Sequence, residues 1–520
     1  MPDRFTVGGN LFYSADPRVG DNVFLKKLAG PEAPEASEAL PSYEAVKELL
    51  PQPVWEGHGD TLACYDKAWK FAFSNLRKAD RSAGFVSDFI DTAFNGFLFM
   101  WDSSFIVMFG KYGKAAFDFQ RTLDNFYSHQ HPDGFICREI CETEGREQFS
   151  RDDPASTGPN ILPWAEWEYY QTTGDRTRLN DIFDPLMAYH NWLRLHRSWP
   201  DGTYWSCGLA CGMDNQPRTP KGCDPASSHG FMSWIDACAQ SYLSARILIE
   251  IGRLIGREQE TGELEAEAQL LKNAVTDTMW SEADAFYCDR LRDGTLSGVK
   301  SAGAYWTLLA GLVPEARKDA FIAHLEDPRE FKRPCRVPTL SADNPAYRAD
   351  GGYWLGGVWA PTNYMILKAL GGQHTLRCER LAHEIAVNYL DNVVEVFRKT
   401  GTLYENYSPE TAAPGNPAKP DFVGWTGIAP IAVLFEYVFG IRPEALRRRI
   451  VWHVELTEEH GVKKYPFLDG ELTLIAKSRK SAEIVPEFIL SSSVDAEVEI
   501  HAAGKILTRK IGPGKQDPKK

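Results

Sequence analysis

Between about Ala68 and Ile441 apolar residues return at steps of three and four, the spacing of helices that bury one face. Trp234, Ile235, Cys238, Tyr242, Ala245, Ile249 and Leu254 trace one long buried face. Leu381, Ile385, Tyr389, Val393 and Phe397 trace another, which Gly401 closes as a C-cap. The pattern predicts further helices near Phe89–Tyr112, Ala115–His129, Leu162–Thr172, Asp175–Arg197, Leu264–Trp280, Ala302–Leu312, Ala360–Leu370 and Thr426–Phe439. Short Gly-, Pro- and Asp-rich segments join them as antiparallel hairpins. So many hairpins outgrow a single bundle core and predict a closed toroid. From about Arg447 to Ile511 the period falls to two: Ile450, Trp452, Val454 and Leu456, then Leu472, Leu474 and Ala476, then Val494, Ala496, Val498 and Ile500 alternate with other side chains. These are half-buried strands of an antiparallel sheet, with Asp469-Gly470 as a hairpin turn. Three regions follow: an irregular N-terminal arm (1–60) carrying the Pro-rich runs PEAPEASEALP and PQP, a mainly α body (61–444), and a small C-terminal β-sandwich-like appendix (445–520).

Composition narrows the function. In 520 residues, 43% hydrophobic and 25% charged, no apolar run reaches the roughly 20 residues of a membrane span. Net charge is −14, with a locally basic tail at Lys515, Lys519 and Lys520, and that balance disfavours nucleic acid. The first residues carry Asp3 and Arg4 without an apolar stretch, so no secretory signal is expected, and ten Cys in so long a chain read as free thiols of a reducing cytoplasm. Cys137/Cys141 and Cys207/Cys211 are spaced too loosely for structural zinc, and no metal or other cofactor is expected. Aromatic content is the unusual quantity: 15 Trp, 20 Tyr and 28 Phe, several beside Gly, Pro or Asp in loops, where rings stack on sugars.

Four inter-helix segments carry candidate chemistry. Trp101-Asp102 opens a helix, where Asp102 is either a helix cap or a carboxylate for sugar hydroxyls beside a stacking ring. In Cys211-Gly-Met-Asp214-Asn215-Gln216-Pro-Arg218, Asp214 is either a turn residue or an acid. The run from Gly351 to Tyr364 interleaves four glycines with Tyr353, Trp354 and Trp359, a pattern that lets backbone approach a ligand between aromatic walls. Glu405, flanked by Tyr404 and Tyr407 and answered by Trp425, is either an exposed loop carboxylate or one lifted in pKa by desolvation.

The segments CGMDNQPR, GGYWLGGVWAPTNY and YENYSPET, in that order among this much helix, resemble the clan of glycoside hydrolase families 37 and 63, which holds trehalases, processing α-glucosidases and mannosylglycerate and glucosylglycerate hydrolases. The resemblance runs from about Asp102 to Ile441. It implies an (α/α)6 barrel and exo-acting, inverting hydrolysis of an α-glucosidic bond in a small α-glucoside or disaccharide. It implies Asp214 as general acid and Glu405 as general base, with Trp101 and Asp102 holding sugar hydroxyls. Asn215, Arg218, Tyr353, Trp354, Trp359, Tyr407 and Trp425 complete the expected substrate-binding set, Arg218 as a local partner for a glycerate carboxylate. Family 63 has Arg and Pro in Y-W-R-G-P-x-W where this chain has Leu355 and Gly357, and the trehalase signatures are absent. Two other classes stand beside this reading: a polysaccharide lyase or epimerase on the same toroid, using Tyr404, Tyr407, His129, His131 or His229, and a sugar-binding descendant without turnover. The expected partner is a small carbohydrate, with no nucleic acid and no membrane; the oligomeric state is not legible.

Overall fold

The computed structural model describes residues 15–30, 39–92, 95–422 and 424–514, together with the backbone of two short strands, Arg4–Val7 and Asn10–Tyr13. Most of the Pro-rich run at 31–41, Val423, and Lys515, Lys519 and Lys520 lie outside the described residues.

Helices dominate from Gly59 to Val438. The long ones are Gly59–Ser74, Met100–Gly110, Leu162–Thr173, Arg176–His196, Ile235–Leu254, Gly262–Thr278, Ala360–Gly371 and Leu376–Thr400. Their ends carry local signals. Asp175 accepts the Arg178 amide at one start, and Thr375 accepts the Cys378 amide at another. Gly174 and Gly401 close their helices in the left-handed region, at φ 65° and 75°.

Four expected helices are shorter or different. Phe89–Ile90 and Phe97–Phe99 are strands, the second starting directly after Gly96 at φ 81°, and the helix begins only at Met100. The Ala115–His129 stretch is a 3-10 turn, Phe119–Leu123, followed by one turn of α-helix. Ala302–Leu312 resolves into Ala302–Tyr305 and Trp306–Leu309, again single turns. Past Thr426 the chain widens into a π-helical stretch, Ala429–Val438, buried on every side.

The β part is two four-stranded sheets. One orders Ile441–Glu444, Arg449–Val454, Ala496–Ala502 and Lys505–Ile511; the other orders Phe488–Ser492, Gly470–Ala476, His460–Phe467 and Gln52–Trp55. Four expectations change here. Arg449–Val454 pairs in parallel with Ala496–Ala502, because the chain between them builds the other sheet. Gln52–Trp55, assigned to the arm, supplies an edge strand opposite His460–Lys463, so the first region and the last share a sheet. The hairpin loop is Leu468-Asp469, one residue earlier than expected, since Gly470 already pairs with Phe467. The arm is also more regular than expected: Pro17–Asp21 and Val23–Ala29 are helical, and Asn22 caps the second while donating to the Tyr127 carbonyl.

Candidate active site

The opening loop is fixed first. Phe97–Phe99 pairs with Glu139–Cys141, placing Phe99 opposite Glu139, and the Met100 amide donates to the Arg138 carbonyl at 2.8 Å. Trp101 and Asp102 then lie in the first helical turn, where Asp102 caps nothing. Phe99 holds the cap position, so the cap reading fails, and Asp102 is left 8% exposed with its own amide as donor and no donor from another residue among those described. Trp101 packs edge-on against Phe105 (4.7 Å) and flat against Gly212, where a Cβ would come within 2.8 Å of the indole. Gly212 sits at φ 77°, so only glycine brings the Asp214 loop this close.

Asn215, Gln216 and Arg218 clamp the loop to other segments. Asn215 donates to the Gly352 carbonyl (3.0 Å) and accepts the Trp354 amide (2.9 Å). Gln216 donates to the Thr339 carbonyl and accepts from Ser301, at 2.8 and 2.7 Å. Arg218 is buried, forked between Asp236 and Asp289 (2.5–2.9 Å) and over the Trp234 ring. Arg218 is thus not available to a substrate carboxylate; its charge is consumed by two buried aspartates, and its loss would cost about 3–5 kcal/mol. Asn215 likewise serves the protein backbone, not a sugar. Only Asp214 of this motif has a carboxylate with no hydrogen-bond donor from another residue among those described.

The Gly-rich segment is strained where it matters. Gly351, Gly352 and Tyr353 have φ of 98°, 49° and 67°, and the last is costly for an aromatic residue. That turn aims the Tyr353 hydroxyl at Glu405 Oε1, 3.2 Å away. Behind it Trp354 and Trp359 stack at 3.7 Å and 7°, and Trp359 donates to the Tyr353 carbonyl. Trp359 is 0% exposed and Trp354 2%, so they support Tyr353 and form no open sugar platform. Trp425 has the same role on the other side, donating to the Glu405 carbonyl at 2.8 Å. Tyr407 is buried, its oxygen accepting the Tyr404 amide, and does not face the site. These four expected contact residues are a supporting wall: their rings are packed away from solvent, and Trp359, Trp425 and Tyr407 also hydrogen-bond to backbone, while the buried Trp354 indole N–H has no partner among the described residues.

Asp102, Asp214, Glu405 and Tyr353 converge electrostatically, joined by Glu139, which sequence reading missed. Burial lifts Asp214 to about 6 against the pull of Arg138. Burial also lifts Glu405, but the Lys419 amide (3.3 Å) and the Tyr353 hydroxyl donate to it and favour its ionised form. Asp102 is lifted well above the usual carboxylate range, by burial and by the charge of Glu405. Arg138 and Glu139 sit in GFICREIC, where two charges inside an apolar run are the signal that marks them. The histidines lie elsewhere: His131 is 2.7 Å from Glu147, and His129 contacts the carbonyls of Asn125 and Ala83. No group of three or more His, Cys, Asp or Glu among the described residues is arranged to hold a metal.

The family of mannosylglycerate hydrolase MGH1-like glycoside hydrolase domains matches residues 97–426, which span every loop of this site. The chain belongs to that family. It is therefore a glycosidase, and the resemblance to the clan of families 37 and 63 holds. A probable mannosyl-oligosaccharide glucosidase of Schizosaccharomyces pombe is 27% identical over 303 residues, 56% of this chain and 35% of its own length. This chain thus spans about a third of that relative. The structure of a GH63 mannosylglycerate hydrolase from Thermus thermophilus in complex with glucose is similar at TM-score 0.57 and 19% identity, covering 71% of this chain and 99% of that one. Neutral trehalase from Saccharomyces cerevisiae is similar at TM-score 0.51 and 13% identity, covering 67% of this chain and 73% of its own. These likenesses extend to the helix-rich fold.

Proposed function

We propose that this chain hydrolyses a small α-linked glucoside, or a closely related glycoside of glycerate, from its non-reducing end with inversion, on an (α/α)6 toroid of helical hairpins. Asp214 gives its proton to the leaving oxygen as the glycosidic bond breaks. Glu405 takes a proton from the water that attacks the opposite face of the anomeric carbon. The products are a free sugar and an alcohol, and inverting carboxyl pairs stand about 6.5–9.5 Å apart to admit that water. Asp102, buried and with no donor to its carboxylate from another residue among those described, accepts from sugar hydroxyls, contacts that strengthen as the ring distorts.

The observation that carries this reading is the unequal treatment of two carboxyls, the buried Glu405 and the half-buried Asp214. Glu405 receives a hydroxyl and an amide that favour the ionised form a base needs, whereas Asp214 receives no donor from another residue among those described and is lifted to about 6. The glycerate option draws on the mannosylglycerate hydrolase relatives. Against a lyase or epimerase, His129 and His131 are engaged away from these carboxyls. A panel of trehalose, kojibiose, nigerose, maltose, glucosylglycerate and mannosylglycerate tests the proposal. Monosaccharide released from at least one of them supports it. Random internal cleavage of a long glucan, with no activity on the panel, contradicts it.

A further inference from the structure

Resting on Asp214 as the acid, a second pair of side chains acquires a role. Arg138 and Glu139 form an ion pair at 2.5 Å, with their side chains 11% and 8% exposed. The pair stands between the two loops that bear Asp102 and Asp214. On one side, the Arg138 carbonyl accepts the Met100 amide directly before Trp101. On the other, the guanidinium Nε donates to the Ala155 carbonyl at 2.6 Å and the plane lies over the Phe149 ring. Ala155 in turn packs against Cys207 and Ala210, the turn that leads into Asp214. One arginine thus braces the opening loop against the acid loop, and its Nη2 has no hydrogen-bond partner among the described residues.

We propose that Arg138 and Glu139 are a positioning pair for the acid: Glu139 holds and neutralises Arg138, and this pairing sets the net charge that Asp214 meets. Around the site the charged and titratable groups are Asp102 from its helix, Arg138 and Glu139 from their strand, Tyr353 from the Gly-rich turn, and Glu405 and Lys419 from the base loop. Arg138 is the cation that acts on Asp214, drawing its carboxyl down against burial. A guanidinium stripped of its counter-charge pulls harder and strips the acid of its proton at lower pH. A site without the guanidinium leaves that proton more tightly held.

The test is the pH profile of kcat/KM, whose alkaline limb follows loss of the acid's proton. Glu139→Gln is expected to move that limb down by about one pH unit, and Arg138→Met to move it up by about the same amount. The double variant is expected to return toward the parent. Opposite shifts separate this role from a merely structural one, which lowers activity without moving the limb. Limbs that stay in place, or move in the same direction in both single variants, overturn the pair. Should Arg138→Met fail to fold, the isosteric Glu139→Gln decides alone, an unmoved limb being the overturning result. Asp214→Asn keeps the two ideas apart. If it is inactive on the panel glycosides while the limbs stay fixed, only the pair falls; if it stays active, the acid reading falls as well.

Discussion

The same three helical elements end in two very different electrostatic settings. At their starts stand Trp101-Asp102, Trp359 and Trp425, around carboxyls that burial raises. At their far ends stand Lys111, Lys368 and Glu436, joined by Glu168 in a buried cluster. Lys111 is 3.0 Å from Glu436, Lys368 is 2.6 Å from Glu168, and the hydroxyls of Tyr112 and Tyr364 donate to Glu436 at 2.7–3.0 Å. Burial alone would raise Glu436, yet the two ammonium groups hold its carboxyl well below the usual range. At the site, Asp102 and Asp214 lack such partners. The difference teaches which buried charge serves folding and which serves chemistry: partners are complete in the first case and left for a ligand in the second.

The largest effect that sharpens this contrast is on turnover. Glu405→Gln and Asp214→Asn are each expected to lower kcat on disaccharide-sized substrates by about 10³-fold or more, measured by monosaccharide release. Breaking the other end acts on stability. Glu436→Gln leaves the buried Lys111 and the half-buried Lys368 under-compensated and is expected to cost about 3 kcal/mol in denaturant unfolding, with KM on the panel glycoside little changed. Because the folded carboxyl lies below its ordinary range, its contribution is present above that range and fades as pH falls through the folded value, so the deficit of the variant shrinks in acid. Tyr353→Phe comes next, with kcat/KM falling about tenfold. Its hydroxyl lowers Glu405, so its loss raises that carboxyl and moves the acidic limb of the pH profile upward. The smallest effect runs opposite to the loss of activity. Asp214 is raised above its unfolded value, so its ionisation weakens the fold as pH climbs through about 6. Asp214→Asn should then melt about 1–2 °C higher than the parent at pH 7 and no higher at pH 4.

Legibility followed the range of the interaction. Arg176–His196, Ile235–Leu254 and Leu376–Thr400 keep a polar face, so their period is visible; Asp175 caps the start of the first, and Thr375 and Gly401 cap the two ends of the last. Met100–Gly110 and Ala429–Val438 are buried on all sides, which erases the period and hides their starts. In the site, Asp214 and Glu405 stand out because carboxylates flanked by glycine or aromatic residues in loops are locally odd. The partners of Asn215 and Arg218 lie up to 139 residues away, and nothing local tells a residue that clasps backbone from one that clasps sugar. The shared sheet was hidden for the same reason, since Trp55 meets His460 only in three dimensions.

The central claim is that Asp214 and Glu405 act across the sugar on a water, and proton NMR of the first-formed product reads it directly. An α-glycoside from the panel, followed within the first minutes of hydrolysis before mutarotation, is expected to give the β-anomer of the released sugar. The α-anomer appearing first would mean retention and would contradict the account.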